Sequence, residues 1–165
     1  MVTYINGKET ERNVTEQRVV SHPVTEVISV GTGGSKATEE KDKPVIGDGI
    51  ITLPTGEVLT YTDVATFRAT AYTHTDPGCD MITATGTTVR IGTVAVDPRV
   101  IPYGTRMFIV TNDNQYVYGI ATAEDCGSAI QGKELDLYMP TLDEAFDYGR
   151  NPVTVYFLGE ANRTF

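Results

Sequence analysis

The sequence contains no tryptophan, and only two cysteines and two histidines among its 165 residues. Two cysteines are too few for a disulfide-rich scaffold or for a cysteine-based zinc site. They allow either two free thiols or one bridge, Cys79–Cys126, closing a loop of about 48 residues. In the chain-entropy picture such a bridge contributes roughly 4 kcal/mol. A cysteine nucleophile at Cys126, beside Asp125, would need a base, ordinarily histidine. His22 lies in a thin N-terminal stretch and His74 in the loop-like text Tyr72-Thr73-His74-Thr75-Asp76-Pro77, so thiol catalysis is disfavoured and His74 reads as a surface-loop residue. Basic residues are scarce as well: 13 Lys and Arg stand against 22 Asp and Glu, a net charge of -9. Both parts of the chain share the deficit, with 6 basic and 10 acidic residues in 1–65 and 7 and 12 in 66–165. With no basic stripe to neutralise a phosphate backbone, nucleic-acid binding is disfavoured. No run approaches the ~20 apolar residues of a membrane span. Nor is a signal peptide visible, since Met1 leads straight into the strand-like Val2-Thr3-Tyr4. The text therefore reads as a piece of a longer chain whose export signal lies elsewhere.

What is present is 16 glycines, nine tyrosines and abundant Thr and Val, a composition that favours strands and tight turns. Residues 1–34 alternate around Asn6-Gly7, a strong hairpin dipeptide, but carry too few large apolar residues for a core of their own. Residues 35–49 are small, charged and aperiodic and read as a linker. Residues 50–65 read as a lead-in hairpin, Ile50–Leu53 and Val58–Tyr61 about Pro54-Thr55-Gly56. Residues 66–165 are densely β, with expected strands Thr66–Tyr72, Thr93–Val96, Arg106–Thr111, Tyr116–Ala123, Glu134–Tyr138 and Val153–Leu158. One helix is expected at Leu142–Gly149, with Thr141 as N-cap, Glu144 completing a capping box and Gly149 as the stop. Six strands and one short helix predict a small closed barrel.

The chemistry-bearing residues are carboxylates. Asp125 and Asp136 bracket the turn Cys126-Gly127-Ser128-Ala129-Ile130-Gln131-Gly132, and Asp97 lies upstream before Pro98. Their oxygens would suit Ca²⁺ or Mg²⁺, but no dense Asp/Asn/Gly loop accompanies them, and neither metal nor cofactor is expected. Crowded carboxylates raise one another's pKa, so that one keeps a proton near neutrality and can protonate a glycosidic oxygen. The competing reading is that each aspartate caps a turn or pairs with a nearby arginine.

Residues 66–158 resemble the 3D domain, named for three aspartates, and the related MltA-type lytic transglycosylases. The matching text is Arg68-Ala69-Thr70-Ala71-Tyr72-Thr73, Thr83-Ala84-Thr85-Gly86, Gly92-Thr93-Val94-Ala95-Val96-Asp97-Pro98, Ile101-Pro102-Tyr103-Gly104-Thr105, Asp125 through Gly132, and Leu135-Asp136-Leu137-Tyr138. The resemblance implies a mainly β, six-stranded double-psi β-barrel, as in expansins, and peptidoglycan glycan strands as partner, outside the cytoplasm at a bacterial wall. It maps the three aspartates onto Asp97, Asp125 and Asp136, with Asp136 as general acid/base and Asp125 as its supporting carboxylate. Thr70, Tyr72, Thr85, Gly86, Gly127 and Ser128 fall where the family shapes its sugar cleft. The usual motif resembles Asp-x-Gly-Gly-Ala-Ile-Lys-Gly, so Ser128 and Gln131 depart from it. Residues 1–34 resemble the C-terminal half of a G5 domain, which implies adhesion to N-acetylglucosamine-containing polymers. The non-catalytic alternative is a wall-loosening module resembling expansins.

Overall fold

The computed structural model describes residues 42–159 throughout, together with the backbone of residues 2–5, 8–12 and 35–36. Strands β1 (Val2–Ile5) and β2 (Lys8–Arg12) pair antiparallel, forming the hairpin expected about Asn6-Gly7. The other N-terminal strands expected before residue 31 lie outside the described residues. Strand β3 (Ser35–Lys36) falls in the expected linker and pairs with β9.

The body of the protein is built from β4 (Val45–Gly47), β5 (Ile50–Thr52), β6 (Val58–Tyr72), β7 (Thr93–Ala95), β8 (Arg106–Thr111), β9 (Tyr116–Asp125), β10 (Glu134–Tyr138), helix α1 (Leu142–Tyr148) and β11 (Asn151–Leu158). Six strands run in the order β10-β7-β9-β8-β11-β6, and a further pairing of β6 with β10 closes the circle. The β6–β10 and β7–β9 pairs are parallel and the other four antiparallel. This is the closed six-stranded barrel expected from the sequence, and closure leaves it without a free edge.

Alternation explains the interior. Phe67 and Ala69 of β6, Leu135 and Leu137 of β10, and Met107 and Ile109 of β8 are buried together in the barrel core. Strand β8 is buried on its other face too, where Phe108 and Val110 meet Ile51 of the lead-in hairpin. Its unbroken apolar run follows from that double burial. The hairpin is continuous with the barrel because β6 is one 15-residue strand, pairing first with β5 and then with β10 and β11. Helix α1 has the expected capping box: Thr141 Oγ1 accepts from the Glu144 amide, the Glu144 side chain accepts from the Thr141 amide, and Ala145 and Tyr148 are buried.

Tyr118 fastens the barrel internally. Its hydroxyl accepts from the Gly92 amide at 3.1 Å and lies 2.9 Å from the Tyr138 carbonyl and 3.1 Å from that of Thr93, the acceptors for its own proton. Gly92 is required there: its φ is +95°, and a Cβ would sit 3.0 Å from the Ile120 carbonyl oxygen. Replacing Tyr118 by Phe leaves the half-buried Gly92 amide without this partner. Urea denaturation of Tyr118→Phe is expected to show a loss of about 1–3 kcal/mol.

Candidate active site

The site lies on the outer face of the barrel, along one transverse row of four strands. Thr70 of β6 pairs with Asp136 of β10, Asp136 with Ala95 of β7, and Ala95 with Asp125 of β9. The backbones of the two carboxylates are thus two strand spacings apart, about 10 Å, with Ala95 between them, packed against Tyr72 and Tyr138. Asp136 faces outward because its neighbours Leu135 and Leu137 are committed to the core. Asp125 arrives by a different route. On β9, Ala121 and Ala123 point into the core, and plain alternation would send Asp125 after them. The register shifts between Val94 and Ala95: Val94 faces Ala123, but Ala95 faces Asp125, which leaves Glu124 as an extra residue. This bulge turns Asp125 onto the outer face beside Ala95.

The two carboxyls differ sharply. Asp136 is half-buried, and Oδ1 accepts from Thr70 Oγ1 at 2.7 Å. Its pKa is pushed up to about 6, chiefly by burial and further by the charges of Asp76 and Asp125, against the Thr70 hydrogen bond and the Arg150 charge. Asp125 is fully engaged. Oδ2 accepts from the Tyr72 hydroxyl at 2.9 Å, and Oδ1 from the amides of Ala84 at 3.0 Å and Cys126 at 2.9 Å. Burial and then the Asp125 charge hold the Tyr72 hydroxyl firmly protonated. The Tyr72 ring meets that of Tyr138 edge to face, and Tyr138 bonds His74 Nδ1 at 3.0 Å. His74, read from sequence as a surface-loop residue, is therefore half-buried and tied to the site.

Residues 73–91 fold over this face. Asp125 pins their middle through Ala84, and Glu124 pins their end. Glu124 is buried, takes Arg90 in two contacts of 2.8 Å, and accepts from Thr93 Oγ1 at 3.1 Å. Thr85 donates its amide to the Glu124 carbonyl, and buried Thr83 gathers the hydroxyls of Thr85 and Thr87. Thr85 and Gly86 thus form an exposed but braced tip. Gly127 and Ser128 lie in the exposed turn after Asp125, where a Cβ on Gly127 would come 3.2 Å from Ile130. Gln131 closes that turn, donating from Nε2 to the Ser128 carbonyl at 2.9 Å.

Asp97 is not on the row. It is buried, its oxygens accepting from Arg99 Nε, Nη2 and amide and from the Gly132 amide at 2.8 Å. The Arg99 guanidinium, with these amides, holds its carboxyl well below the usual range. Asp97 joins the 97–101 turn to the turn entering β10, which places Asp136. The carboxylate that acts on Asp136 alongside Asp125 is Asp76, which sequence reasoning passed over inside a loop. The Cys79–Cys126 bridge is not formed. Both are free, exposed thiols. Among the described residues no cluster of His, Cys, Asp and Glu could hold a metal ion.

Residues 92–159 match the family model of the 3D domain and residues 1–33 that of the G5 domain. The chain thus carries 3D-domain sequence downstream of G5-domain sequence. It is 32% identical over 158 residues to the "Putative cell wall shaping protein YabE" of Bacillus subtilis, covering 93% of this chain and 37% of that protein. It is 38% identical over 97 residues to the "Cell wall-binding protein YocH" of the same organism, covering 56% of this chain and 32% of that one. The chain spans about a third of the length of each. Among solved structures, MltA from Escherichia coli, titled as "a unique lytic transglycosylase fold", aligns with a TM-score of 0.43 at 26% identity, over 49% of this chain and 28% of that one.

The opposite shifts of Asp136 and Asp97 predict opposite stability profiles. Asp136 binds its proton more tightly folded than unfolded, so the stability it lends is full below the ordinary aspartate range and lost as pH rises through about 6. Asp136→Asn is expected to be more stable than the wild type at pH 7, by at most about 2–3 kcal/mol, and to lose that advantage near pH 4. Asp97 is the reverse: its stabilisation is present at neutral pH and fades as pH falls below the ordinary aspartate range. Asp97→Asn should lower the melting temperature at pH 7 and approach the wild type in acid. Thermal melts across pH check both.

Proposed function

We propose that this chain is a peptidoglycan-cleaving lytic transglycosylase acting on the MurNAc-GlcNAc bond, with Asp136 as its general acid/base. The observation that carries this reading is one half-buried, solvent-reachable carboxyl with a pKa of about 6 beside a second carboxylate whose oxygens are already occupied. Protonated Asp136 donates to the glycosidic oxygen. The bond from that oxygen to C1 of the muramic acid breaks, and oxocarbenium character develops there. The resulting carboxylate takes the proton of the same sugar's C6 hydroxyl, and O6 closes on C1 to give the 1,6-anhydro product. No water is consumed. The occupancy of Asp125 by Tyr72, Ala84 and Cys126 supports this one-carboxylate route, because little of it is left to hold an attacking water or to act as nucleophile.

In this reading Asp125 orients Tyr72 and the 73–91 segment and raises the pKa of Asp136. Asp97 positions the strand that carries Asp136. Thr70, Tyr72, Thr85, Gly86, Gly127 and Ser128 form the walls that take the sugars. Residues 66–165 would then be the catalytic unit and residues 1–34 a wall-adhering segment, working outside the cytoplasm at a bacterial cell wall. A non-catalytic wall-binding module, as in expansins, is the second reading, and the name of the YocH relative favours it.

Mass spectrometry of digested peptidoglycan separates the two. Anhydro-muropeptides are expected from the wild type, and Asp136→Asn is expected to release them at least ~10²-fold more slowly. Binding without any soluble product would leave the second reading. Since the active form carries the proton, the rate should fall as pH rises through about 6.

A further inference from the structure

The row that carries Thr70, Asp136, Ala95 and Asp125 continues past Thr70. Strand β11 pairs with β6 with Asn151 opposite Ala69, so the next position in that antiparallel register sets Arg150 beside Thr70. Arg150 follows Gly149, the C-cap of α1, and is exposed. It lies on the far side of Asp136 from Asp125. Its charge is felt there, lowering the pKa of Asp136 and that of Glu134.

Arg150 differs from the other cations around the site. Arg68 is held by Glu134, Arg90 by Glu124 and Arg99 by Asp97, and Lys133 lies 5.9 Å over the Phe67 ring. Arg150 has no hydrogen-bond or ion-pair partner among the described residues. Among the described residues, the guanidinium at the end of this row of carboxylates thus has its donors unspent. A guanidinium with all its donors free matches a carboxylate in two parallel hydrogen bonds, and it offers far less to a neutral sugar.

We propose that Arg150 binds a carboxylate of the glycan substrate and so makes this site select acid-bearing chains over neutral ones. The proposal rests on the reading of the site as a glycan cleft. A chitooligosaccharide carries no anion. A muramic-acid chain carries one either as a free lactyl carboxylate, when peptides have been stripped, or on its stem peptides.

The experiment measures binding on the Asp136→Asn protein, so that ligand is not consumed and Asp136 carries no charge. The ligands are amidase-stripped glycan strands, stem-bearing fragments and chitohexaose. Adding Arg150→Gln is expected to weaken one or both acid-bearing ligands roughly tenfold, to leave chitohexaose unchanged, and to abolish the salt sensitivity of the preference. Arg150→Lys should restore it in part. Which of the two acid ligands responds identifies the carboxylate. Equal weakening of all three ligands, no weakening of either acid ligand, or no glycan binding at all would overturn the proposal. The catalytic reading fails separately: wild-type protein that yields no anhydro product yet shows the Arg150-dependent preference sinks the chemistry and keeps the recognition.

Discussion

The bulge that sets Asp125, rather than Glu124, opposite Ala95 is the constraint from which the rest of the site follows. Bulges are rare in parallel pairs, and this one serves two carboxylates at once. It turns Asp125 out of the barrel to meet Tyr72 and the Ala84 amide, and it leaves Glu124 buried, where Arg90 and Thr93 satisfy it. Both residues then grip the same segment. Without the extra residue, Asp125 would follow Ala121 and Ala123 into an apolar interior, where an unpaired charge is strongly disfavoured. Residues 73–91 would also lose two of their anchors. The fold of residues 73–91 and the position of Asp125 are set together.

Three aspartates share one sequence signature, yet their surroundings give them different physical states. Asp97 is the most buried, and still it is the one held most firmly ionised, because a guanidinium and backbone amides saturate it. Asp136 is less buried but receives only one hydroxyl, and faces like charges from Asp76 and Asp125. Burial alone therefore does not set the direction of the shift: at Asp97 the charged and amide donors outweigh it, and at Asp136 it outweighs the single hydroxyl. The same bookkeeping separates a residue that fixes loops from one that can exchange a proton.

The barrel strands were legible because each alternates between a core face and an outer face, and α1 because its capping box is local in sequence. Strand β4 escaped notice because three residues with a single half-buried side chain leave no period to read. The site was legible only in part. Asp125 and Asp136 were found by motif, but their relation was not, since register across three strand pairs is a property of the closed barrel. Asp76 and Arg150 sit in text that reads as loop and helix end, and they reach Asp136 only through tertiary structure. Glu124 looked like an ordinary strand residue, because nothing local announces a bulge. Residues joined by short-range rules could be read, and those joined by register could not.

Ala95 is what makes the row a site rather than a ladder. Any larger side chain there would stand between Asp136 and Asp125, on a face where Tyr72, Tyr138, Val89 and Ile130 already crowd. The Ala95 methyl is buried beneath these side chains, so the row is apolar at its middle and flanked by carboxylates. Burial among such contacts is the chief cause that raises the pKa of Asp136. That cause opposes stability at neutral pH, where Asp136 is ionised against its surroundings. A protein selected only to fold would relieve this tension with a neutral side chain at that position. A half-buried carboxyl that titrates near neutrality, beside an Asp125 and an Asp97 already supplied with donors, is for that reason a candidate for proton transfer.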